Sequence, residues 1–360
     1  MKLLIATGLY APEIGGPATH TKLLEEHLPA LGYTVSVVPF ARSRGVPKLF
    51  RHLHYTAALL RRARQVDVLF AQDTVSVGLP ALLVSKLLRK PLVVRVPGDY
   101  AWEQSVQRFG VTDSIDEFQV RRQPMRVRLL QSVQSAVVRR ASLVITPSVY
   151  FQTLVAGWGV APAQNITIYN GVDLHITPAQ LPALPPQTMV TSGRLVAWKG
   201  IDKLIELLVT LDDWHLTIIG DGPQRGALEQ QAQSLGVADR VTFTGSISRE
   251  AVFAHCVAAD AFVLNTHFES FSYQVVEAMY SGSPTIVTNV GSLPELITHG
   301  VEGVLFTPDD LPALATHIRS TQTDTAAWHK RTQAAVLKVQ VFTIQACIAK
   351  LDTQLQLLHD

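Results

Sequence analysis

The chain has 360 residues, of which 47% are hydrophobic and 17% charged, with a formal net charge of +2. That length exceeds one comfortable core and predicts two domains, while the composition excludes a disordered chain. Two cysteines, Cys256 and Cys347, supply neither a disulfide framework nor a metal-ligand spacing, so they predict buried thiols in a reducing, cytoplasmic compartment. The small net charge conceals an imbalance: residues 1–170 carry 20 Lys and Arg against 10 Asp and Glu, and residues 171–360 carry 11 against 19.

The first strand is read in KLLIATG (2–8), an apolar run too short for a secretory leader that passes into a loop at Pro12 and Glu13. The loop GLYAPEIGGPATH follows, where Gly15 and Gly16 let the backbone approach a ligand before a helix starting near Pro17 or Ala18. After a second strand, TVSVVPF (34–40), come Arg42, Arg44, Lys48, Arg51, Arg61, Arg62 and Arg64, interleaved with Leu49, Phe50, Leu53, Tyr55, Leu59 and Leu60. This mixture suits an anionic membrane surface, with a solvated basic face as the alternative. Further strands are read in VDVLFAQ (66–72), LVVRVPG (92–98), LVITPS (143–148) and ITIYN (166–170). Between them VGLPALLVSKLL is interrupted by Lys86, so no membrane-spanning segment is predicted. A second basic run, Arg121, Arg122, Arg126, Arg128, Arg139 and Arg140, falls on predicted helices. Its arginines alternate with aliphatic residues and no recognition motif accompanies them, which argues against a nucleic-acid partner.

The rhythm restarts after a proline-rich stretch, HITPAQLPALPPQ (175–187), with strands in TMVTSGRL, WHLTIIG (214–220), RVTFTG (240–245), AFVLNT (261–266), SPTIVT (283–288) and GVLF (303–306). Apolar strands without alternation, separated by helices, predict parallel sheets covered on both faces. The fold class is therefore α/β: two tandem, Rossmann-like, doubly wound domains facing a cleft, with ligands at the carboxyl ends of the strands.

The turns of the second half narrow the ligand. GDGPQRG holds Gly220, Gly222 and Gly226 but breaks the dinucleotide fingerprint at Arg225, and no P-loop occurs, which removes support from a nicotinamide dehydrogenase or a P-loop enzyme. Ordinary turn chemistry remains a sufficient account of Gly220 and Gly222. In SGRLVAWKGID (192–202) a strand delivers Arg194, and Lys199 stands at a helix start; two cations beside helix amides suit a diphosphate, unless they are a solvated surface pair. In ESFSYQVVEAMYSG a helix beginning near Ser272 would leave free amides around Phe271 and Ser272 as an anion site. Glu277, one to two turns inside, could accept hydrogen bonds from vicinal hydroxyls such as those of a ribose. Glu269, on the loop before the helix, could reach sugar hydroxyls or stabilise charge developing at an anomeric carbon. The competing reading pairs Glu277 with an arginine and leaves Glu269 solvated.

These residues carry a resemblance that spans nearly the whole chain in order. ESFSYQVVEAMYSGSPTIVTNVGSLPELI resembles the E-x7-E signature and following segments of the retaining glycosyltransferases of family 4. GRLVAWKGID resembles their phosphate-binding motif, GDGPQRGALE their GDGP turn, NGVD (170–173) their hinge, and GGPATH their N-terminal glycine loop. The resemblance implies a GT-B fold with an acceptor-binding domain (1–172), a nucleotide-sugar-binding domain (173–342) and a last helix (343–360) crossing back to the first. It further implies that Arg194 and Lys199 bind the diphosphate, Glu277 the ribose, and Glu269 with Ser270, Phe271 and Ser272 the donor sugar. Thr244, Gly245 and Ser246 would lie near the base, and Gly15 and Gly16 would complete the donor site. No metal or other cofactor is implied, and no D-x-D occurs.

One departure stands out. Where many relatives place a histidine after the fourth strand, this chain reads VRVPGDYAWE. Asp99 or Glu103 could position the acceptor or steady the donor sugar, and Asp99 could equally cap a helix. The implied activity is transfer of a sugar from a nucleoside diphosphate sugar to a lipid-linked or polysaccharide precursor at the inner face of the cell membrane. A nucleotide-sugar epimerase and a non-catalytic nucleotide-sugar-binding protein are the alternatives.

Overall fold

The computed structural model describes every residue except Ile14, Arg44, Lys48, Leu49, Pro178, His359 and Asp360, with Arg42 described by its backbone alone. The basic stretch predicted to meet lipid, which includes Arg44, Lys48 and Leu49, therefore lies partly outside the described residues. The chain divides into two compact units, Met1–Gly171 with Ile344–Asp360, and Val172–Thr343.

In the first unit the elements run β1 (Lys2–Thr7), α1 (Gly16–His27), β2 (Thr34–Pro39), α2 (Arg51–Ala63), β3 (Val68–Ala71), α3 (Gly78–Leu88), β4 (Leu92–Arg95), α4 (Tyr100–Phe109), α5 (Ile115–Val120), α6 (Met125–Val138), β5 (Leu143–Thr146), α7 (Val149–Ala156) and β6 (Asn165–Thr167). The sheet order is β2-β1-β3-β4-β5-β6, and every pairing is parallel. β3, β4 and β5 are buried at every residue, which is why they read as unbroken apolar runs. On one face Leu3, Ile5, Val68, Phe70 and Val93 pack with Leu23 and Leu24 of α1.

In the second unit follow β7 (Thr188–Ser192), α8 (Ile201–Leu207), β8 (His215–Ile219), α9 (Arg225–Ser234), β9 (Val241–Gly245), α10 (Arg249–Ala258), β10 (Ala261–Leu264), α11 (Tyr273–Tyr280), β11 (Thr285–Thr288), α12 (Leu293–Leu296), β12 (Val304–Phe306), α13 (Leu311–Thr323) and α14 (Thr325–Lys338). Its parallel sheet has the order β12-β11-β10-β7-β8-β9. The proline-rich segment lies inside this unit, because the backbone N–H of Val172 already bonds Phe342 O at 2.8 Å before that segment begins.

The last helix, α15 (Ile344–Leu357), belongs to the first unit. Its Cys347, Ile348, Leu351 and Leu355 join the core built on Leu3 and Phe70, and the Tyr33 hydroxyl donates to Asp352 at 2.5 Å. Both sheets reverse direction at their first strand: β1 lies between β2 and β3, and β7 between β8 and β10. Loops leaving the carboxyl ends of the two strands at such a reversal diverge to opposite faces and open a crevice. Among the described residues no helix is long and apolar enough to cross a membrane.

Candidate functional site

At the reversal in the second sheet, three loops are tied into one edge. After β7 the chain passes through Arg194 and a 3-10 turn, Ala197–Lys199, to Gly200. Gly200 adopts φ 56°, and a Cβ there would overlap the carbonyl oxygen of Asn265, so only glycine lets the two loops close. The Asn265 amide donates to Gly200 O at 3.1 Å and to Asp309 at 3.0 Å. Thr266 Oγ1 donates to Trp198 O at 3.1 Å, and His267 N–H to the same oxygen at 2.8 Å. Gly291, at φ 55°, lies against the backbone of Glu269, whose carbonyl accepts from Ser292 N–H at 3.0 Å. The loops after β7, β10 and β11 thus hold Lys199 and Glu269 on a common scaffold.

On that scaffold the Lys199 ammonium donates to the Glu269 carboxylate, with side-chain exposures of 12% and 11%. Glu269 is therefore neither solvated nor alone. Arg194 is exposed, and its guanidinium has no ion-pair or hydrogen-bond partner among the described residues. Ser270 and Phe271 lead into α11, which starts at Tyr273 with Ser272 as its N-cap, the Ser272 hydroxyl accepting from Val275 N–H at 3.4 Å. Glu277 is buried in α11 and accepts from Arg249 Nε at 2.5 Å; the same guanidinium donates to Asp173 O at 2.6 Å. Burial pushes the Glu277 carboxyl above the ordinary glutamate range, and Arg249 pulls it back. Of the two readings offered by the sequence, Glu277 does pair with an arginine, while Glu269 pairs with the lysine expected to hold phosphate.

Farther along the same edge, Gly220 N–H bonds Gly245 O at 2.9 Å, and the Thr244 hydroxyl donates to that oxygen at 2.9 Å. Thr244 and Gly245 so end β9, two strands from β7. Arg225 lies over the Phe243 ring at 6.0 Å from its centroid and pairs with Glu229 at 2.8 Å. Among the described residues no group of three or more His, Cys, Asp or Glu side chains is arranged to hold a metal ion.

The remaining candidates sit in the first unit. Gly15 is the N-cap of α1 and Gly16 its first residue. A cavity of about 370 Å³ opens at the carboxyl edge near the β1/β3 reversal, lined by Gly8, Asp73, Thr74, Gly98 and Glu103 among others. Asp99 takes up the capping role that the sequence also allowed. It is fully buried, and both carboxylate oxygens are taken: Oδ1 accepts from Trp102 N–H at 3.1 Å and from the Gln134 amide at 3.0 Å, and Oδ2 from the Gln119 amide at 2.8 Å. Burial raises its pKa against the opposing pull of these donors. Asp99 thus caps α4 from a fully buried position.

Sequence reading missed Arg249, which lies 28 positions before Glu277 and meets it only because α10 packs on α11. It also missed Asn265, whose polar side chain in an apolar strand end was the available signal, since a fully buried amide has to be satisfied.

Two parallel α/β units, each opening at a strand-order reversal, define a GT-B type of fold. Residues 14–176 match the family described as Glycosyltransferase Family 4, and residues 176–336 the family described as Glycosyl transferases group 1. The chain belongs to the family 4 glycosyltransferases. It is 30% identical over 281 residues to the glycogen synthase of Mycobacterium tuberculosis, a match covering 76% of this chain and 64% of that protein. It is 31% identical over 197 residues to the D-inositol 3-phosphate glycosyltransferase of Mycolicibacterium gilvum, covering 51% of this chain and 45% of that protein. In fold it is similar to Anabaena HepE, solved in complex with UDP, with a TM-score of 0.78 at 22% identity over 99% of this chain and 100% of that one. Sucrose-phosphate synthase from Thermosynechococcus elongatus gives a TM-score of 0.82 at 21% identity over 99% of both chains.

Proposed function

We propose that the chain is a retaining glycosyltransferase that moves a sugar from a nucleoside diphosphate sugar to a lipid-linked or polysaccharide precursor without a metal ion. The observation that carries this reading is the Lys199–Glu269 pair at the second sheet's reversal, with Arg194 on the same loop as Lys199, the N-cap of α11 three residues after Glu269 and Glu277 one helical turn farther in. In it Arg194 and Lys199 take the diphosphate, Glu277 the ribose hydroxyls, and Glu269 with the backbone around Ser270, Phe271 and Ser272 the donor sugar. Thr244 and Gly245 border the base.

As the anomeric carbon leaves the phosphate oxygen, the acceptor hydroxyl bonds to that carbon from the same face, and its proton passes to the departing diphosphate oxygen. Arg194, Lys199 and the α11 amides stabilise the charge on the leaving group, the part a metal ion plays elsewhere. Asp99 is given no chemical step; it fixes α4 beside the first unit's cavity. HepE was solved with UDP and with UDP-glucose, and the mycobacterial relatives are named as glycosyltransferases or a glycogen synthase, which supports a nucleotide-sugar donor here.

A lipid-linked acceptor is supported by one face of the first unit. α2, α3 and α6 contain no Asp or Glu, and they expose Leu53, Leu83, Leu87, Met125 and Leu129 beside Arg61, Lys86, Arg126 and Arg128. Such a surface fits the anionic inner face of a cell membrane. Titration with a panel of nucleotide sugars, followed by a transfer assay on lipid-linked and glycan acceptors, tests the function. Absence of donor binding, or full activity in Glu277→Ala, ends it; binding without transfer would instead favour a non-catalytic protein. Co-sedimentation with vesicles that shows no preference for anionic lipid removes the membrane part alone.

A further inference from the structure

Two groups with different expected duties hold each other: the Lys199 ammonium, assigned to phosphate, and the Glu269 carboxylate, assigned to sugar. Both are nearly buried, whereas Arg194 is exposed and unpaired among the described residues. We infer that the Lys199–Glu269 pair makes the site select the intact nucleotide sugar over the spent nucleoside diphosphate. The inference rests on the donor reading above and adds to it a specificity role.

The Lys199 ammonium spends one of its three N–H donors on Glu269, and a diphosphate that pulls the ammonium out of reach breaks that bond. With bare nucleoside diphosphate that exchange strands an ionised carboxylate at 11% exposure, an unfavourable state for a charged group. If Lys199 stays on Glu269, the diphosphate has it only as a shared cation, weaker than one given over to phosphate. An intact nucleotide sugar removes the conflict, because its hydroxyls donate to Glu269 as Lys199 swings to the phosphates. Gly291 and Ser292 hold the Glu269 backbone, so its carboxylate can follow the lysine only by rotation of its own side chain. Once the sugar has been transferred its hydroxyls are gone, the pair closes again, and the diphosphate is released.

The test is calorimetric titration of the full chain with UDP, UDP-glucose, GDP and GDP-mannose. In wild type the nucleotide sugar that binds is held more tightly than its diphosphate. In Glu269→Gln the bare diphosphate gains about tenfold or more in affinity while the nucleotide sugar loses, so the preference collapses or inverts. Lys199→Gln and the double variant separate this exchange from simple repulsion between Glu269 and phosphate. With Lys199 already absent, Glu269→Gln gains little for the diphosphate if the pair is responsible, and keeps its full gain if repulsion is. Equal losses for both ligands in Glu269→Gln, or a gain that persists in the double variant, overturns the inference. Failure of the wild type to bind any of the four ligands would remove the donor reading itself, a result distinct from either.

Discussion

Replacing Asp99 by alanine isolates what this residue does. The substitution removes the α4 cap, which costs about 1 kcal/mol. It also strips the Gln134 amide of its bond to Asp99, leaving a buried donor unsatisfied at a cost of about 1–3 kcal/mol. Gln119 fares better, because its amide also donates to Ile115 O at 3.2 Å. Relief from burying a carboxylate whose pKa is already raised offsets part of the loss. The net expectation is roughly 2 kcal/mol, which for a unit of this size lowers its unfolding midpoint by roughly 4–8 °C. Urea and thermal unfolding followed by circular dichroism measure this, with a transfer assay run well below the transition. Asp99→Asn keeps an oxygen for Trp102 but faces Gln119 with a second donor, so it should lose about 1–2 kcal/mol and retain turnover while folded. An Asp99→Asn protein of unchanged stability whose turnover is lost would refute the capping account and restore Asp99 as a group that meets substrate.

If Glu277 holds donor hydroxyls as proposed, donor affinity should weaken as pH falls, because the ionised carboxylate is the stronger hydrogen-bond acceptor; burial raises its pKa, so the loss begins above the ordinary value of about 4.3. Arg249→Ala removes the group that lowers this pKa, so titrations at several pH values should show the midpoint moving upward, and a downward shift contradicts the pairing. Gly200→Ala forces a side chain into the left-handed region at roughly 1–2 kcal/mol and drives it into Asn265, so chemical unfolding should show a loss above that figure together with weakened donor binding. Unchanged stability would mean that the two loops do not close as described. Cys256, its thiol pushed up to about 12 by burial and by Glu277, and buried Cys347 should resist a thiol reagent in the native protein and react once it is unfolded. Rapid labelling of either native thiol rules out that packing.

The strands were legible because parallel sheets covered on both faces demand apolar runs without alternation, and LVVR and AFVL could hardly be anything else. The start of α11 at Ser272 was legible for a similar local reason, a hydroxyl placed just ahead of an apolar helix. Strand order was not, since no local pattern distinguishes a first strand at the centre of its sheet from one at its edge. Charge partners were equally hidden: Lys199 and Glu269 are 70 positions apart and Arg249 and Glu277 are 28 apart, so each pairing depends on how loops and helices cross. At Asp99 the sequence allowed both a cap and a reactive acid. Only the positions of Gln119 and Gln134, from elements downstream, decide between them.

The second unit is an insertion in the first, made between Gly171 and Ile344. During synthesis the strands of the first sheet are all made by residue 167, yet Cys347, Ile348, Leu351 and Leu355 appear only after the whole second unit has been made. The earliest-born half is therefore the last to be sealed, and until then it waits with an uncovered apolar flank while its neighbour can already be complete. A nascent chain stalled or clipped before residue 344 would keep a finished second unit together with an open, sticky first one.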